Sequence, residues 1–340
     1  MKEIIDSIKE KLTDDKEKNV QILLKEMDNY KDNEEVTKAI YKMLYDCLPE
    51  DLQDNFVRNI NQEKFEQRIK EIQELIAGKE YERALDYLEL AVDKLDQIHE
   101  DDEYVYMTFH SPFEAYFYAY NRSEDEKKLI KNAPIDFGVY YKFKALCLFE
   151  LGHYVDSEIA FIESLKWNPL DFETVFGYAN VLYTLKKYDK FLKLNIDTLD
   201  KAFSNYAIAS CYHNIGKYYL TIGNKDSDMK AFNLISYSIS FAETDYAYKD
   251  LDDICIKHNM ERKLAGEKLV FETLRREKIQ PGPSEKLIKQ LITIARSFIG
   301  KQDKFALQVF KLIYQLTHDD ITLQYIKAGE RAIANSNKEN

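Results

Sequence analysis

Residues 138–171 read GVYYKFKALCLFELGHYVDSEIAFIESLKWNPLD, and residues 172–205 read FETVFGYANVLYTLKKYDKFLKLNIDTLDKAFSN. Placed one above the other, the two stretches correspond at an offset of 34 residues. Among the identical residues that this offset aligns are Ala145 with Ala179, Leu148 with Leu182, and Tyr154 with Tyr188. Self-similarity at a fixed period of this size indicates an internal structural repeat.

The first copy has the order of a helical hairpin. Apolar residues at helical spacing lead to a turn at Gly152, a second apolar series follows, and Pro169 ends it. A third copy starts near Ala209, with Gly216 and Gly223 in the corresponding places. It carries about three extra residues in its turn before the register resumes.

This order resembles the tetratricopeptide repeat, most clearly over residues 138–245. Helix A of that family has a small residue that lets helix B approach, and Ala145, Ala179 and Gly216 match it. The resemblance implies an all-α superhelical solenoid of antiparallel helix pairs, because stacked pairs hide apolar faces that a single pair leaves exposed.

The second copy departs from the family pattern. Phe191 stands where helix B usually has a small alanine, as does Ser157 in the first copy, and Asn195 replaces an aromatic residue. We therefore expect the second pair to pack loosely or at an altered angle.

Outside the central copies, apolar residues also recur at three and four positions, whereas period-two alternation is nearly absent. This predicts about fifteen helices. Ser111, Asp171 and Ser284 are predicted N-caps, with Glu114 completing a capping box. Weaker copies are suggested upstream by Leu75, Tyr81, Ala84, Leu88 and Ala91, and downstream by Ala295, Phe298, Phe305, Ala306 and Phe310.

Four regions follow from these patterns. Residues 1–103 form a divergent helical region with one weak repeat, and 104–279 hold the central repeats. Residues 284–334 form helical hairpins, and 335–340 a disordered tail. Eight aromatic residues between 104 and 120 predict a helix wedged between the N-terminal and central repeats, the alternative being a sticky surface or pocket.

Composition narrows the function classes. The chain has 48 Lys+Arg against 60 Asp+Glu, a net charge of −12 and 45% apolar residues. It is therefore expected to fold, and neither nucleic acid nor a membrane is an expected partner. No secretion signal or membrane span is apparent, and four separated cysteines suit a reducing compartment, so a cytoplasmic location is predicted.

The resemblance implies that helix A side chains facing away from helix B line a peptide-binding groove. The matching residues are Lys142, Phe143, Phe149, Phe176, Asn180, Tyr183, His213, Asn214 and Lys217. Asparagine can pair with a peptide backbone, and rings offer flat apolar contacts. Alternatively, the aromatic residues pack inside the protein. A clamp for C-terminal carboxylates, known in part of the family, is incomplete because Leu146 stands where an asparagine is needed.

Catalytic, metal and cofactor motifs are absent from the sequence. The predicted function is therefore a non-catalytic scaffold or adaptor that holds a protein or peptide in the groove. The alternative is a regulatory sensor that responds to a peptide or metabolite, as some bacterial tetratricopeptide proteins do. A composition rich in Lys, Asn, Ile and Tyr suits an AT-rich bacterial genome.

Overall fold

The computed structural model describes residues 2–31, 33–92, 99–122 and 128–339. Within these ranges lie seventeen helices and two short strands, so the predicted all-α class is confirmed. The chain divides into two compact units, residues 1–95 and 96–340. The four predicted regions remain predictions, and the residues of the predicted tail up to 339 belong to the last helix.

The first unit is a series of helices: α1 (Lys2–Lys9), α2 (Lys16–Asn29), α3 (Glu34–Cys47), α4 (Glu50–Ala77) and α5 (Tyr81–Val92). Asp15 caps α2 by accepting hydrogen bonds from two backbone N–H groups, and Asn33 caps α3 through the N–H of Val36. The core of α1 to α3 consists of Ile8, Leu23, Val36, Ile40 and Leu44.

The weak upstream repeat corresponds to α4 and α5, which pack against each other. Ala84 and Leu88 on α5 are fully buried, as expected of residues that face a partner helix. A short turn at Gly78 joins the two helices.

The second unit begins with β1 (Tyr104–Met107), α6 (Pro112–Asn121) and β2 (Leu129–Asn132). The strands pair in parallel, with Tyr104 opposite Leu129. Neither strand was predicted. Ser111 caps α6 through the N–H of Glu114, but the Glu114 carboxylate accepts from the N–H of His110 instead of closing a capping box.

Three helix pairs occupy the middle of the second unit: α7 (Phe137–Glu150) with α8 (Tyr154–Trp167), α9 (Phe172–Thr184) with α10 (Tyr188–Leu199), and α11 (Asn205–Ile222) with α12 (Lys225–Phe241). Each pair packs on the next through α8 with α9 and α10 with α11. The predicted repeat is therefore a stack of hairpins. Asp171 caps α9 as predicted, since its carboxylate accepts from the N–H groups of Glu173 and Thr174.

Five further helices complete the unit: α13 (Asp245–His258), α14 (Glu267–Arg276), α15 (Glu285–Phe298), α16 (Asp303–Thr317) and α17 (Asp320–Glu339). Both α13 and α14 pack against α12, and α16 packs between α15 and α17. Ser284 precedes α15 but makes no capping bond. Its hydroxyl lies 3.3 Å from Asp200 Oδ1 instead.

The aromatic helix α6 is wedged between other elements. Phe117 is buried, and its ring meets that of Phe203 beyond α10. On another side, Tyr116 contacts the rings of Phe298 and Phe305 at α15 and α16. The helix therefore fills the space between the central pairs and the C-terminal helices.

The cysteines are free thiols, with Cys147, Cys211 and Cys255 buried and Cys47 half-buried. Burial raises the pKa of Cys147 to about 11, so its thiol stays protonated at neutral pH. Across the part of the chain that the structure describes, no helix is both long and apolar enough for a transmembrane span.

Candidate functional site

A pocket of about 370 Å³ lies where α9, α11 and α13 pass beside one another. Its lining comes from one face of each helix: Phe176 and Asn180 on α9; Tyr206, Ser210, His213, Asn214 and Lys217 on α11; and Tyr246, Lys249 and Asp250 on α13. We call this the α9–α11–α13 pocket.

Helix α11 supplies half of the lining because it has two distinct faces. The lining residues recur at three and four positions and therefore share one side of the helix. Ile208, Tyr212 and Ile215 lie on the other side, in the hydrophobic core. The phenol of Tyr212 donates to the carbonyl of Gln280 at 2.7 Å, which anchors that side to the loop before α15.

Five of the nine predicted groove residues line this pocket: Phe176, Asn180, His213, Asn214 and Lys217. Tyr183 lies next to it, because Lys217 Nζ is 4.4 Å from the centre of its ring. The Tyr183 ring also packs on the rings of Tyr188 and Phe191, so Tyr183 belongs to the contact between α9 and α10 as well.

The three predicted residues of α7 are not among the residues that line the pocket. The Lys142 ammonium lies 3.2 Å from Asp171 and 3.1 Å from Glu173, so its charge is already paired. Phe149 packs on Tyr154. Phe143 is half-buried.

Sequence reasoning missed the other five lining residues. Tyr206 and Ser210 precede His213 at helical spacing and were detectable from α11 alone. The three lining residues of α13 were not detectable from the sequence, because α13 lies beyond the clear repeats. Only the folded structure brings α13 next to α11.

A hydrogen bond joins two walls of the pocket. His213 Nε2 on α11 lies 2.9 Å from Asp250 Oδ2 on α13, although the residues are 37 positions apart. The His213 ring also packs on Tyr246 at 4.7 Å between centroids. Asp250 therefore has part of its charge engaged within the protein.

The ammonium of Lys217 has fewer partners within the protein than the carboxylate of Asp250. The Lys217 ammonium makes no hydrogen bond or ion pair with a described residue and lies over the Tyr183 ring, 4.4 Å from the ring centre. Burial lowers the pKa of Lys217, while the nearby charge of Asp250 opposes that shift. The outcome is a partly dehydrated cation with hydrogen-bonding capacity to spare.

Two further side chains are held in place. Asn214 Nδ2 donates to Asn195 Oδ1 at 2.9 Å, and Asn195 Nδ2 donates to the carbonyl of Phe191 at 2.8 Å. This chain of bonds orients the Asn214 amide from behind. At the rim, burial and a hydrogen bond with Tyr246 raise the pKa of the Tyr206 phenol, so the Tyr206 hydroxyl stays protonated at neutral pH.

No family model matches the chain, and no curated protein matches it. A solved tetratricopeptide repeat protein from Parabacteroides merdae matches with a TM-score of 0.35 at 11% identity, over 92% of this chain and 98% of the other. The tetratricopeptide domain of P58(IPK) matches with a TM-score of 0.28 at 11% identity, over 89% of this chain and 75% of the other.

The 34-residue offset reappears in the structure as three stacked hairpins with buried small residues at their crossings. The fold is tetratricopeptide-like. Among the described residues of this tetratricopeptide-like chain, no group of three or more His, Cys, Asp or Glu side chains is placed to hold a metal ion. What its pocket presents is amide, phenol and ammonium groups beside aromatic rings.

Proposed function

We propose that this tetratricopeptide-like protein is a non-catalytic adaptor that binds an extended peptide segment of a partner in the α9–α11–α13 pocket. The supporting observation is that successive helices contribute parallel rows of polar and aromatic side chains to one pocket. An extended peptide lying across these helices would contact the side chains of each helix in turn.

The polar groups suit a peptide backbone. Asn180 is exposed, and its side chain makes no hydrogen bond to a described residue. Asn214 is held by only one side-chain bond, which leaves its oxygen available. Each amide can both donate to a peptide carbonyl and accept from a peptide N–H. Phe176, Tyr206 and Tyr246 provide flat surfaces for peptide side chains.

The charges favour an acidic peptide. Lys217 and Lys249 both line the pocket, and its single carboxylate, Asp250, is hydrogen-bonded to His213. A peptide carboxylate beside Lys217 would supply the ion pair that this partly buried ammonium does not have. The observation that carries the proposal is therefore Lys217, whose ammonium has no ion pair with a described residue and lies over the Tyr183 ring beside this pocket.

The test compares Lys217→Met with Lys190→Met on the full chain. Lys190 is an exposed residue of α10 outside the pocket. Binding is measured by fluorescence polarisation against an array of short labelled peptides that differ in acidic content. We expect acidic peptides to bind the natural protein and Lys217→Met to weaken that binding about tenfold, or about 1.4 kcal/mol.

Removing a dehydrated charge should leave the melting temperature of Lys217→Met unchanged or slightly raised. Lys190→Met should bind as the natural protein does. Equal affinity of the two variants for every bound peptide would refute the proposal, and so would a preference for basic peptides.

The pocket volume favours one alternative, a metabolite-responsive sensor, because about 370 Å³ lies within the range of small-molecule sites. A thermal-shift screen of metabolites and peptides separates the two functions. A sensor would be stabilised by a metabolite in a manner that Lys217→Met reduces, whereas an adaptor would respond to peptides alone.

A further inference from the structure

A second cavity, of about 310 Å³, lies elsewhere in the same unit and shares no lining residue with the α9–α11–α13 pocket. The end of α6 supplies one wall, and the turns on either side of the α9–α10 pair supply the others. Lys286, in the first turn of α15, closes the rim. We call this the α6–α15 cavity.

Three cations line the α6–α15 cavity: Arg122, Lys201 and Lys286. The cavity has one acidic residue, Asp200. The Asp200 carboxylate accepts hydrogen bonds from Gln280 Nε2 at 2.7 Å and from the Ser284 hydroxyl at 3.3 Å, and Lys286 Nζ lies 3.8 Å away. The single negative charge of the lining is therefore already engaged, and the three cations outnumber it in a chain of net charge −12. Arg122 also has partners of its own, since its Nη1 donates to the carbonyl of Lys128 at 2.7 Å.

Lys201 is the least satisfied of the three cations. Its half-buried ammonium makes no ion pair or hydrogen bond with a described residue. Burial lowers the pKa of Lys201, and the charge of Asp197 offsets this only in part. Other shielded lysines of this chain lie against carboxylates: Lys142 against Asp171, Lys187 against Glu158, and Lys230 against Glu277.

Apart from Asn121, the rest of the lining is apolar or aromatic. Phe117 and Leu170 are buried and form the floor, with the Tyr118 ring beside them. Asn121 is held by donating to the carbonyl of Phe117 at 2.8 Å and accepting from Gln290 at 2.6 Å. A ligand that fits this lining carries a concentrated negative charge at one end and a flat or apolar group at the other.

We propose that the α6–α15 cavity binds a small phosphate ester, with the phosphoryl group against Lys201, Lys286 and Arg122 and the organic group against Tyr118 and Leu170. A phosphoryl dianion matches several cations better than a single carboxylate does, and arginine and lysine are the side chains that bind it in proteins. The cavity volume restricts the ligand to a small molecule. This site is independent of the peptide pocket.

The test uses the full chain with AMP and inorganic phosphate as probes, and potassium chloride at matched ionic strength as the control. Thermal shift and isothermal titration calorimetry measure binding. We expect AMP to raise the melting temperature and to bind more tightly than inorganic phosphate, because only AMP fills the apolar part of the cavity.

The deciding variant is Lys201→Gln, and Lys217→Gln is its matched control. Both are half-buried lysines that lack an ion pair among the described residues, but each lines a different pocket. We expect Lys201→Gln to weaken AMP binding about tenfold or more and Lys217→Gln to leave it unchanged. The exposed Lys286→Gln, which should fold normally, is expected to weaken binding about threefold.

Three results would overturn the proposal. One is the absence of any AMP effect at millimolar concentration on folded protein, and another is an equal effect of potassium chloride. The third is equal AMP affinity of Lys201→Gln, Lys286→Gln and Lys217→Gln. AMP binding no tighter than that of inorganic phosphate would contradict the assignment of an ester. Because peptide binding depends on Lys217, failure here leaves the adaptor function standing.

Discussion

The α11–α12 pair and the α9–α10 pair occupy equivalent places in the repeat but pack differently. At Gly216 of α11, an added Cβ would lie 2.7 Å from Ile235 Cγ1 of α12, so these helices cross closely. In the α9–α10 pair, fully buried Phe191 lies in a cluster with Ala179, and the contact is the sparsest of the three central pairs. One side chain at the crossing therefore sets the spacing of a helix pair.

The departure of α10 from the family pattern also shapes the α9–α11–α13 pocket. Asn195, one turn after Phe191 on α10, takes the place of an aromatic residue and reaches across to Asn214 of α11. A phenylalanine there, such as Phe161 at the matching position of the first copy, has no group that could hydrogen-bond to the Asn214 amide. The second pair thus combines looser packing with a polar link to the α9–α11–α13 pocket.

The largest expected effect on stability comes from truncating Phe191, the side chain that separates α9 from α10. Phe191→Ala should lower the free energy of unfolding by about 4 kcal/mol, because the flanking helices cannot close the cavity completely. Urea denaturation measures this loss of unfolding free energy. The control is Phe271→Ala, which should lose less than half as much because Phe271 is 42% exposed. Equal losses in the two variants would show that Phe191 does not hold α9 and α10 apart.

The next effect tests the close crossing. Gly216→Val should cost about 3 kcal/mol, because the added carbons meet Ile235 and the carbonyl of Ala231. Helix propensity alone would slightly favour valine over glycine, so a loss of stability reports the steric overlap between α11 and α12. The control is Gly266→Ala, where an added Cβ has no atom within 4 Å. Unchanged stability of Gly216→Val in chemical denaturation would contradict the close approach.

The smallest effect concerns the turns between paired helices. Gly152 and Gly223 have φ values of +83° and +76°, but Lys186 holds the equivalent turn of the second pair at +56°. A side chain in this left-handed region costs about 1 kcal/mol. Lys186→Gly should therefore stabilise the protein by up to about 1 kcal/mol, and Gly223→Lys should destabilise it by a similar amount.

Lys186→Gly and Gly223→Lys are opposite substitutions at two exposed turn positions, so each serves as the control for the other. Differential scanning calorimetry should show melting temperatures that move in opposite directions. A shift in the same direction for both would mean that local contacts, and not backbone conformation, govern the turns.

The sequence by itself determined the helical hairpins and part of the pocket. Apolar spacing, the small residues Ala145, Ala179 and Gly216, and the capping residue Asp171 are local signals, and each has the predicted place in the structure. The tetratricopeptide resemblance indicated His213, Asn214 and Lys217, and their spacing places them on one face of α11, so these lining residues were within reach of the sequence.

Only the tertiary structure decided which charges remain available for a ligand. The fold pairs Lys142 with Asp171 and His213 with Asp250, yet it leaves Lys201 and Lys217 facing cavities. It also joins the strands β1 and β2, which are too short to be stable alone. The physical reason is that helix periodicity is encoded within a few residues, whereas a charge finds its partner through contacts between distant segments.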